Sequence, residues 1–323
     1  MKVSVIIPVY KVEAFIEKCA ESLFSQTLDD VEFIFVDDAS PDNSIGKLKK
    51  CTEKYPEKTI IILKHEQNQG LPAARNTGLA IAKGEYIFHC DSDDFVEPNM
   101  LETLYRTAKE EESDIVWCDW FLSFEQNERY MKQPAYATPM EALKAMLAGQ
   151  MKYNVWNKLV RHRLYTDNGI SFPEGYAMGE DMTMMLLFAV AKKVSYIPKA
   201  FYHYVKLNTD AYSRSFSSNH WEAIAYNIQR VEVFLHRKFG DTLNLEIACM
   251  KLEAKFSFLR NGEKQMYKLW EKSYPEANQY ILQNHYVSKR RRWVQWCASK
   301  KIWWIVGLHS WLVNKLVYGC IYK

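Results

Sequence analysis

The 323-residue sequence is 48% hydrophobic and 25% charged, with 12 glycines, 10 prolines and a formal net charge of +3. That composition excludes a disordered chain, a collagen-like fibre and a disulfide-stapled miniprotein, and the length suffices for about two domains with real cores. Seven scattered cysteines, odd in number and without a C-x-x-C pair, point to a reduced, cytosolic setting.

Met1-Lys2 leads directly into the apolar, β-branched run 3–7. With Pro8 close behind and no small-residue cleavage site, this reads as a strand buried on both faces and not as a signal peptide. Residues 12–26 then show helical spacing (Val12, Phe15, Ile16, Cys19, Leu23). The alternation continues with a strand at 31–36, a helix at 42–54, a strand at 59–63 and a helix at 72–82. After these come a strand at 85–90, a helix at 98–111 and a strand at 114–117. Strands alternating with helices through short connections predict an α/β, mostly parallel sheet covered on both faces. Ligands of such sheets sit beyond the carboxyl ends of the strands. Further on, Thr138-Pro139-Met140-Glu141 reads as a capping box opening a helix to about residue 147. Residues 182–191 read as another helix and 194–197 as a strand, and from His220 onward the pattern is helical. No window is long and apolar enough for a spanning helix.

Three acidic groups follow apolar strands: Asp37-Asp38, Asp91-Ser92-Asp93-Asp94 and Glu180-Asp181. A single Asp after a strand often only caps the next helix. Three carboxylates within four residues, however, repel one another unless a cation sits among them. Carboxylates suit Mg²⁺ or Mn²⁺, which share their coordination with phosphate oxygens. In the D-x-D spacing of Asp91 and Asp93, both can reach one ion, or one can reach the ion and the other a ribose hydroxyl. The segment 68–78 (NQGLPAARNTG) supplies a loop, a helix start and Arg75, which suits a bidentate hold on phosphate or a base edge. Neither G-x-x-x-x-G-K-[ST] nor G-x-G-x-x-G occurs, so P-loop and dinucleotide-oxidoreductase chemistry loses support. Zinc-protease and paired Cys/His spacings are missing as well.

Together, Ser4-Val5-Ile6-Ile7-Pro8-Val9-Tyr10, Val36-Asp37-Asp38-Ala39-Ser40-Pro41-Asp42, the 68–78 segment, Asp91-Ser92-Asp93-Asp94 and Gly179-Glu180-Asp181 resemble the family-2 inverting glycosyltransferases of GT-A (Rossmann-like) fold. The resemblance covers residues 1–215 in motif order. It implies a catalytic domain over 1–215, and the apolar periodicity of the remainder makes 216–323 a helical C-terminal region. Two departures stand out: Lys11 where the family usually has Asn, and Ala39 where Gly is usual. At 201–213, Val205 and Ala211 replace an expected Arg and Ser.

Carried over position by position, the resemblance implies that Pro8, Tyr10 and Glu13 line the nucleotide pocket. Asp37 or Asp38 accepts a hydrogen bond from base or ribose, and Arg75 holds the nucleotide. Asp91 contacts ribose, with Ser92 beside it, and Asp93 meets a Mn²⁺ or Mg²⁺ ion that bridges the diphosphate. Asp181 is the general base with Glu180 next to it. The Val155-Trp156-Asn157-Lys158-Leu159 segment resembles the acceptor side, where Trp156 stacks on a sugar or packs in the core and Lys158 lies close by. His203 is a candidate third metal ligand or a packed core histidine. The expected reaction is a metal-dependent, inverting transfer from a nucleotide-diphosphate sugar, UDP-linked by default. Its acceptor is a hydroxyl of a glycan or lipid-linked molecule in cell-envelope polysaccharide synthesis. A sugar-phosphate nucleotidyltransferase is the rival enzyme, but it requires a glycine-rich basic loop where Pro8-Val9-Tyr10 stands. A non-catalytic, membrane-attached sugar-nucleotide-binding module is the rival of another class.

The last stretch of chain differs from the rest. After Glu276 there are eight Lys or Arg residues and no Asp or Glu, and five of the ten tryptophans fall there. Basic residues beside Trp293, Trp296, Trp303, Trp304 and Trp311 describe a tail, 289–323, that lies in a membrane surface or packs its Trp face on the body. The membrane reading predicts a cytoplasmic protein, peripheral on the inner face of the cell membrane. The acidic body argues against a nucleic-acid partner.

Overall fold

A computed structural model describes residues 1–207, 218–260, 263–313 and 315. The expected departure at Ala211, and the tail from residue 316 onward, lie outside the described residues. The chain forms two compact units, one of residues 1–143 and 152–231, the other of 144–151 and 232–323.

The first unit is built on β1 (Val3–Val9), β2 (Val31–Asp37), β3 (Thr59–Lys64), β4 (Tyr86–His89), β5 (Phe95–Val96), β6 (Ile115–Ser123), β7 (Glu128–Met131), β8 (Lys158–Arg161) and β9 (Val194–Val205). They pair in the order β3-β2-β1-β4-β8-β6-β9-β5, with β7 added to β6. β1, β2, β3 and β4 run parallel, as the strand–helix alternation predicts. The other half is mixed: β8 lies antiparallel between β4 and β6, while β6 and β9 run parallel. Two of the antiparallel strands, β7 and β8, come from the region where the sequence periodicity loosens, β8 having only four residues and β7 being largely exposed; the third, the two-residue β5, pairs with β9. β9 continues well past 197, and an irregularity in its register against β6 interrupts the pattern there.

The helices of this unit are α1 (Ile16–Phe24), α2 (Ser44–Thr52), α3 (Leu71–Ile81), α4 (Met100–Glu110), α6 (Arg163–Thr166), α7 (Thr183–Val190) and the first parts of α5 (Pro139–Leu147) and α8 (Ser218–Phe239). The capping box at α5 is realised: Glu141 Oε2 accepts from the N–H groups of Ala137 and Thr138 at 3.1 Å, and Glu141 N donates to Thr138 Oγ1 at 3.2 Å. Gly78 lets α3 close on β1, since a Cβ there would lie 2.5 Å from Ile6 Cγ2.

Chain order reverses between β1 and β4, which makes that pair the switch point of the sheet. Their pairing stops at Ile6 and His89. Beyond it β1 has only β2 beside it, and there Pro8, which cannot donate to a ladder, is tolerated in a buried strand. In sheets of this kind the ligand crevice lies outside the carboxyl ends of the strands at such a point.

The second unit is helical: the rest of α5 and of α8, then α9 (Asn244–Arg260), α10 (Lys264–Lys272), α11 (Lys289–Ser299) and α12 (Trp303–Leu312). Lys255 is buried within it and donates to Ser273 O, Tyr274 O and Asn278 Oδ1, tying α9 to the turn after α10. Six cysteines are buried free thiols. Among the described residues no helix is long and apolar enough to cross a membrane.

Candidate active site

One wall of the crevice is made by the loops after β1 and β2, which are bonded into one piece. Lys11 N donates to Ser40 Oγ, Val12 N to Ser44 Oγ and Glu13 N to Asp42 Oδ2, at 2.9, 3.0 and 3.0 Å. Glu13 Oε2 accepts in return from Asn43 N. Burial raises the pKa of Asp42, but its bonds to Ser40, Ser44 and Glu13 overcome that and hold it at about 2. Both loops turn through left-handed residues, Lys11 at φ 54° and Ala39 at φ 56°. Those are the two positions where the family pattern has Asn and Gly, the residue types that adopt this conformation most readily. Pro8 is buried beneath the loop and Tyr10 stands exposed at its mouth.

The two carboxylates at the end of β2 do different work. Asp38 is saturated: it accepts from His65 Nδ1 at 2.7 Å, Gln69 N at 2.7 Å and Gly70 N at 2.8 Å. It thereby fixes the loop that delivers α3, and His65 reaches on to Thr77 Oγ1. Asp37 Oδ1 accepts from Ser40 N within its own turn. Asp38 is thus spent on its own loop, whereas Asp37 retains capacity for a further donor.

Opposite lies a buried charge centre. Arg75, on the first turns of α3, is 1% exposed and donates from Nη2 to Asp91 Oδ1 at 2.9 Å. Its Nε and Nη1 are buried with no partner, and its guanidinium sits 5.6 Å from the Phe172 ring. Burial opposes the cation, but Asp91, Asp181 and Glu180 together raise its pKa above the usual value. Asp181 lies in the short 3₁₀ turn Glu180–Met182, and its Oδ1 is also buried without a partner. Burial, reinforced by Asp91, raises Asp181 to about 6 against the pull of Arg75 and Lys158. Burial and then Asp181 push Glu180 well above the carboxylate range. His89, the last residue of β4, is buried with its Nδ1 unpartnered, and burial together with Arg75 keeps it neutral. The three sequence-distant segments thus converge on one guanidinium with unmet hydrogen-bonding capacity, an arrangement that calls for an anion.

The carboxylates of the β4 loop are anchored from β9. Asp94, buried, accepts from Val205 N and from Tyr202 OH, each at 2.7 Å, while Asp91 N donates to the same Tyr202 OH at 3.1 Å. Ser92 is buried and Asp93 partly exposed. Among the described residues no three or more His, Cys, Asp or Glu side chains are grouped to hold a metal by themselves. The donor chemistry nevertheless fits a hard cation, because Mg²⁺-like ions take one or two carboxylates and complete their shell with phosphate oxygens and water. Asp93 and Asp91 are the residues that would hold it.

For His203 and Trp156 the packed alternative is the one the structure realises. His203 is no metal ligand for that loop: its Nδ1 bonds Glu128 at 2.7 Å, its Nε2 bonds Glu97 at 3.0 Å, and Phe95 and Phe121 stack on its two sides. Trp156 does not face a sugar, being 6% exposed, stacked on Tyr202 and Tyr204 and edged by Trp120. Lys158 is buried and donates to Lys152 O, Asn154 O and Asn157 Oδ1, bracing the loop 152–157, and its charge is near enough to Asp181 to favour that carboxylate. His89 and Tyr202 escaped the sequence reading, while Asp42 and Asp94 were read only as members of their motifs, with no role of their own. His89 borders the strand-end motif that contains Asp94 and was within its reach; Tyr202 becomes legible only once β9 is known to pair with β5.

Residues 4–173 match the model of glycosyl transferase family 2. The chain is 31% identical over 215 residues to the glycosyltransferase GlyG of Streptococcus pneumoniae, covering 62% of this chain and 70% of that one. It is 42% identical over 118 residues to the poly(ribitol-phosphate) beta-glucosyltransferase of Bacillus spizizenii, covering 36% of this chain and 18% of the relative. Among solved structures, that of S. aureus TarS 1-349 in complex with UDP-GlcNAc superposes with a TM-score of 0.70 at 22% identity, covering 98% of this chain and 92% of that one. The likeness to TarS is one of fold. The chain spans about 60% of the length of several curated relatives that it matches.

Proposed function

Because the chain belongs to glycosyl transferase family 2, we propose that it transfers a sugar from a UDP-sugar to a hydroxyl of a cell-envelope glycan or lipid-linked acceptor, with inversion. The observation that carries this reading is Arg75: one nitrogen is held on Asp91, two are buried without partners, and Asp181 and Glu180 lie within its field. Such a group at the switch point of an α/β sheet suits the diphosphate of a nucleotide sugar. UDP-GlcNAc in the TarS complex supports a UDP donor, and the named relatives support an envelope acceptor.

In this mechanism Asp181 is the base. The acceptor hydroxyl gives its proton to the Asp181 carboxylate as its oxygen bonds the anomeric carbon. The electron pair of the breaking bond leaves with the nucleoside diphosphate. A base with a pKa of about 6 is ionised at neutral pH yet basic enough to take a proton, and such groups typically contribute about 10²–10⁴-fold. The free Arg75 N–H groups meet the charge that develops on the departing diphosphate, in a water-poor site where they are most effective. Asp37 and Tyr10 orient the nucleoside. A Mn²⁺ or Mg²⁺ ion held by Asp93 and Asp91 would supply further charge neutralisation to the diphosphate.

The deciding experiment compares Asp181→Asn with the unaltered protein. Transfer from UDP-sugars should fall at least about 100-fold while UDP affinity stays within a factor of about two. Transfer at the normal rate would refute the assignment. We also propose that the helical unit brings the protein to an anionic membrane surface through α11 and α12, whose basic and aromatic residues suit that boundary.

A further inference from the structure

The fold sorts the aromatic residues of α12 into two sets. Trp303 turns inward, stacked on Tyr267 at 4.9 Å and edge-on to Trp270. Trp304, Leu308, Trp311 and Leu312 are exposed by 73, 50, 54 and 40%. Their i, i+4, i+7, i+8 spacing is one continuous helix face, an apolar stripe turned to the outside.

The same unit holds a cavity of about 590 Å³ among α9, α11 and α12. Phe256, Leu259 and Val294 give it an apolar part of its lining, and its polar lining is dominated by Arg260, Arg290, Arg291 and His309. Glu263 also lines it, and Arg291 is paired through Nη2 with Glu253. The guanidinium of Arg291 lies 3.9 Å from the Phe256 ring, so its charge is carried on an apolar wall. Arg291 Nε and His309 Nε2 are buried with no hydrogen-bond partner. Burial and the Arg290 charge hold His309 in its neutral form. The start of α11, capped by Ser288, contributes to the lining and adds the positive end of a helix.

We propose that this cavity binds the phosphate headgroup of an anionic membrane lipid, with the exposed face of α12 lying in the bilayer interface. The proposal rests on the membrane reading given above and names its ligand site. Three guanidiniums, one with an unmet Nε–H, match phosphate oxygens, which accept hydrogen bonds and give none, and neutral His309 joins them in the tautomer that carries its proton on Nε2. The apolar walls match the first methylenes of a lipid, where a free inorganic phosphate would leave them wet. An outward apolar stripe on an adjoining helix is the surface such a lipid would bring with it.

The test is flotation of the full chain on phosphatidylcholine vesicles with and without phosphatidic acid, together with titration of soluble dihexanoyl phosphatidic acid against inorganic phosphate. Binding should require the phosphatidic acid. Arg260→Gln with Arg290→Gln should weaken it by about tenfold or more, whereas Lys289→Gln with Lys300→Gln, removing as many charges outside the cavity, should change it less than about threefold. Equal weakening by both pairs would overturn the cavity site while leaving a diffuse membrane attraction. Absence of binding to any vesicle would overturn the membrane reading itself. Inorganic phosphate binding as tightly as the soluble lipid would show a free anion, not a lipid, to be the ligand. Arg290→Gln alone, melting at the unaltered temperature and losing affinity, guards against a folding artefact in the double variant.

Discussion

Arg75 reaches Asp91 with Nη2 at 2.9 Å, and two further guanidinium nitrogens remain buried and unbonded. A buried arginine with one satisfied corner is costly, because charge taken out of water needs partners for its donors. Here α3 holds the side chain at the root of the β4 loop, where Asp91 is fixed in turn by Tyr202. The arrangement stores binding capacity for an anion and keeps it in one orientation before any ligand arrives.

Arg75→Met should therefore separate binding from folding. The methionine keeps the buried volume and removes the unmet donors, while Asp91, 25% exposed, can turn to water. UDP affinity should fall about 10- to 100-fold, since hydrogen bonds to charged groups are worth about 1.5–3 kcal/mol each. Calorimetric titration with UDP reads this directly. Undiminished affinity in a well-folded variant would place the diphosphate elsewhere.

Asp181 sets the pH dependence. Its carboxyl is raised from 3.8 to about 6, chiefly by burial. The base works only when ionised, so the rate should rise with pH through about 6 and level off above. Stability moves the opposite way: a raised folded-state pKa favours the protonated form, and that contribution is lost as pH climbs from 3.8 to about 6. At pH 8 Asp181→Asn should accordingly melt a few degrees higher than the unaltered protein while being inactive. Thermal scans and rate profiles across this range check both signs, and a variant that melts lower at pH 8 would contradict the burial argument.

How much of this was legible in the sequence depends on where the information lay. β1, β2 and β4 could be read because parallel strands buried on both faces are continuous apolar runs, and β3, half-buried at the edge, because its run of isoleucines is equally continuous. The acidic groups at their carboxyl ends could be read because chain order places them at the mouth of the sheet. β7 and β8 could not, being four residues each and stabilised by neighbours distant in sequence. The same is true of His203 and Trp156, whose residue types suit either a site or a core. Their fates are decided by Glu97 and Glu128 in one case and by Tyr202 and Tyr204 in the other. The work of Asp38, divided among His65, Gln69 and Gly70, likewise depends on a loop geometry that no periodicity reveals.

Asp93 offers a test of the cation. Manganese should raise the melting temperature of the UDP-bound protein, with a ligand at 100 times its dissociation constant adding about 2.7 kcal/mol. In Asp93→Asn the manganese-dependent part should vanish, leaving the shift that UDP gives in the presence of a chelator. A manganese-dependent shift of full size in that variant would move the ion to other residues.

Lys11 and Ala39 provide a prediction that concerns the scaffold. Both hold left-handed backbone, at φ 54° and 56°, in the two loops that form one wall of the crevice. For an ordinary side chain that conformation costs about 1–2 kcal/mol, because Cβ crowds the following carbonyl. Ala39→Gly removes the clash but enlarges the freedom of the unfolded chain, which takes back about 0.4–1 kcal/mol. Lys11→Asn substitutes a residue type that visits this region more readily and leaves the Lys11 backbone bond to Ser40 Oγ in place. Each change should stabilise the protein by a few tenths to about 1 kcal/mol, and the two should be close to additive only if the loops respond independently. Since Lys11 N bonds the Ser40 hydroxyl beside Ala39, the loops are coupled, and the double variant should depart measurably from the sum. Chemical denaturation of the two single variants and the double variant gives all three values. A loss of stability in Ala39→Gly would mean that its φ is set by packing and that the left-handed turn carries no strain.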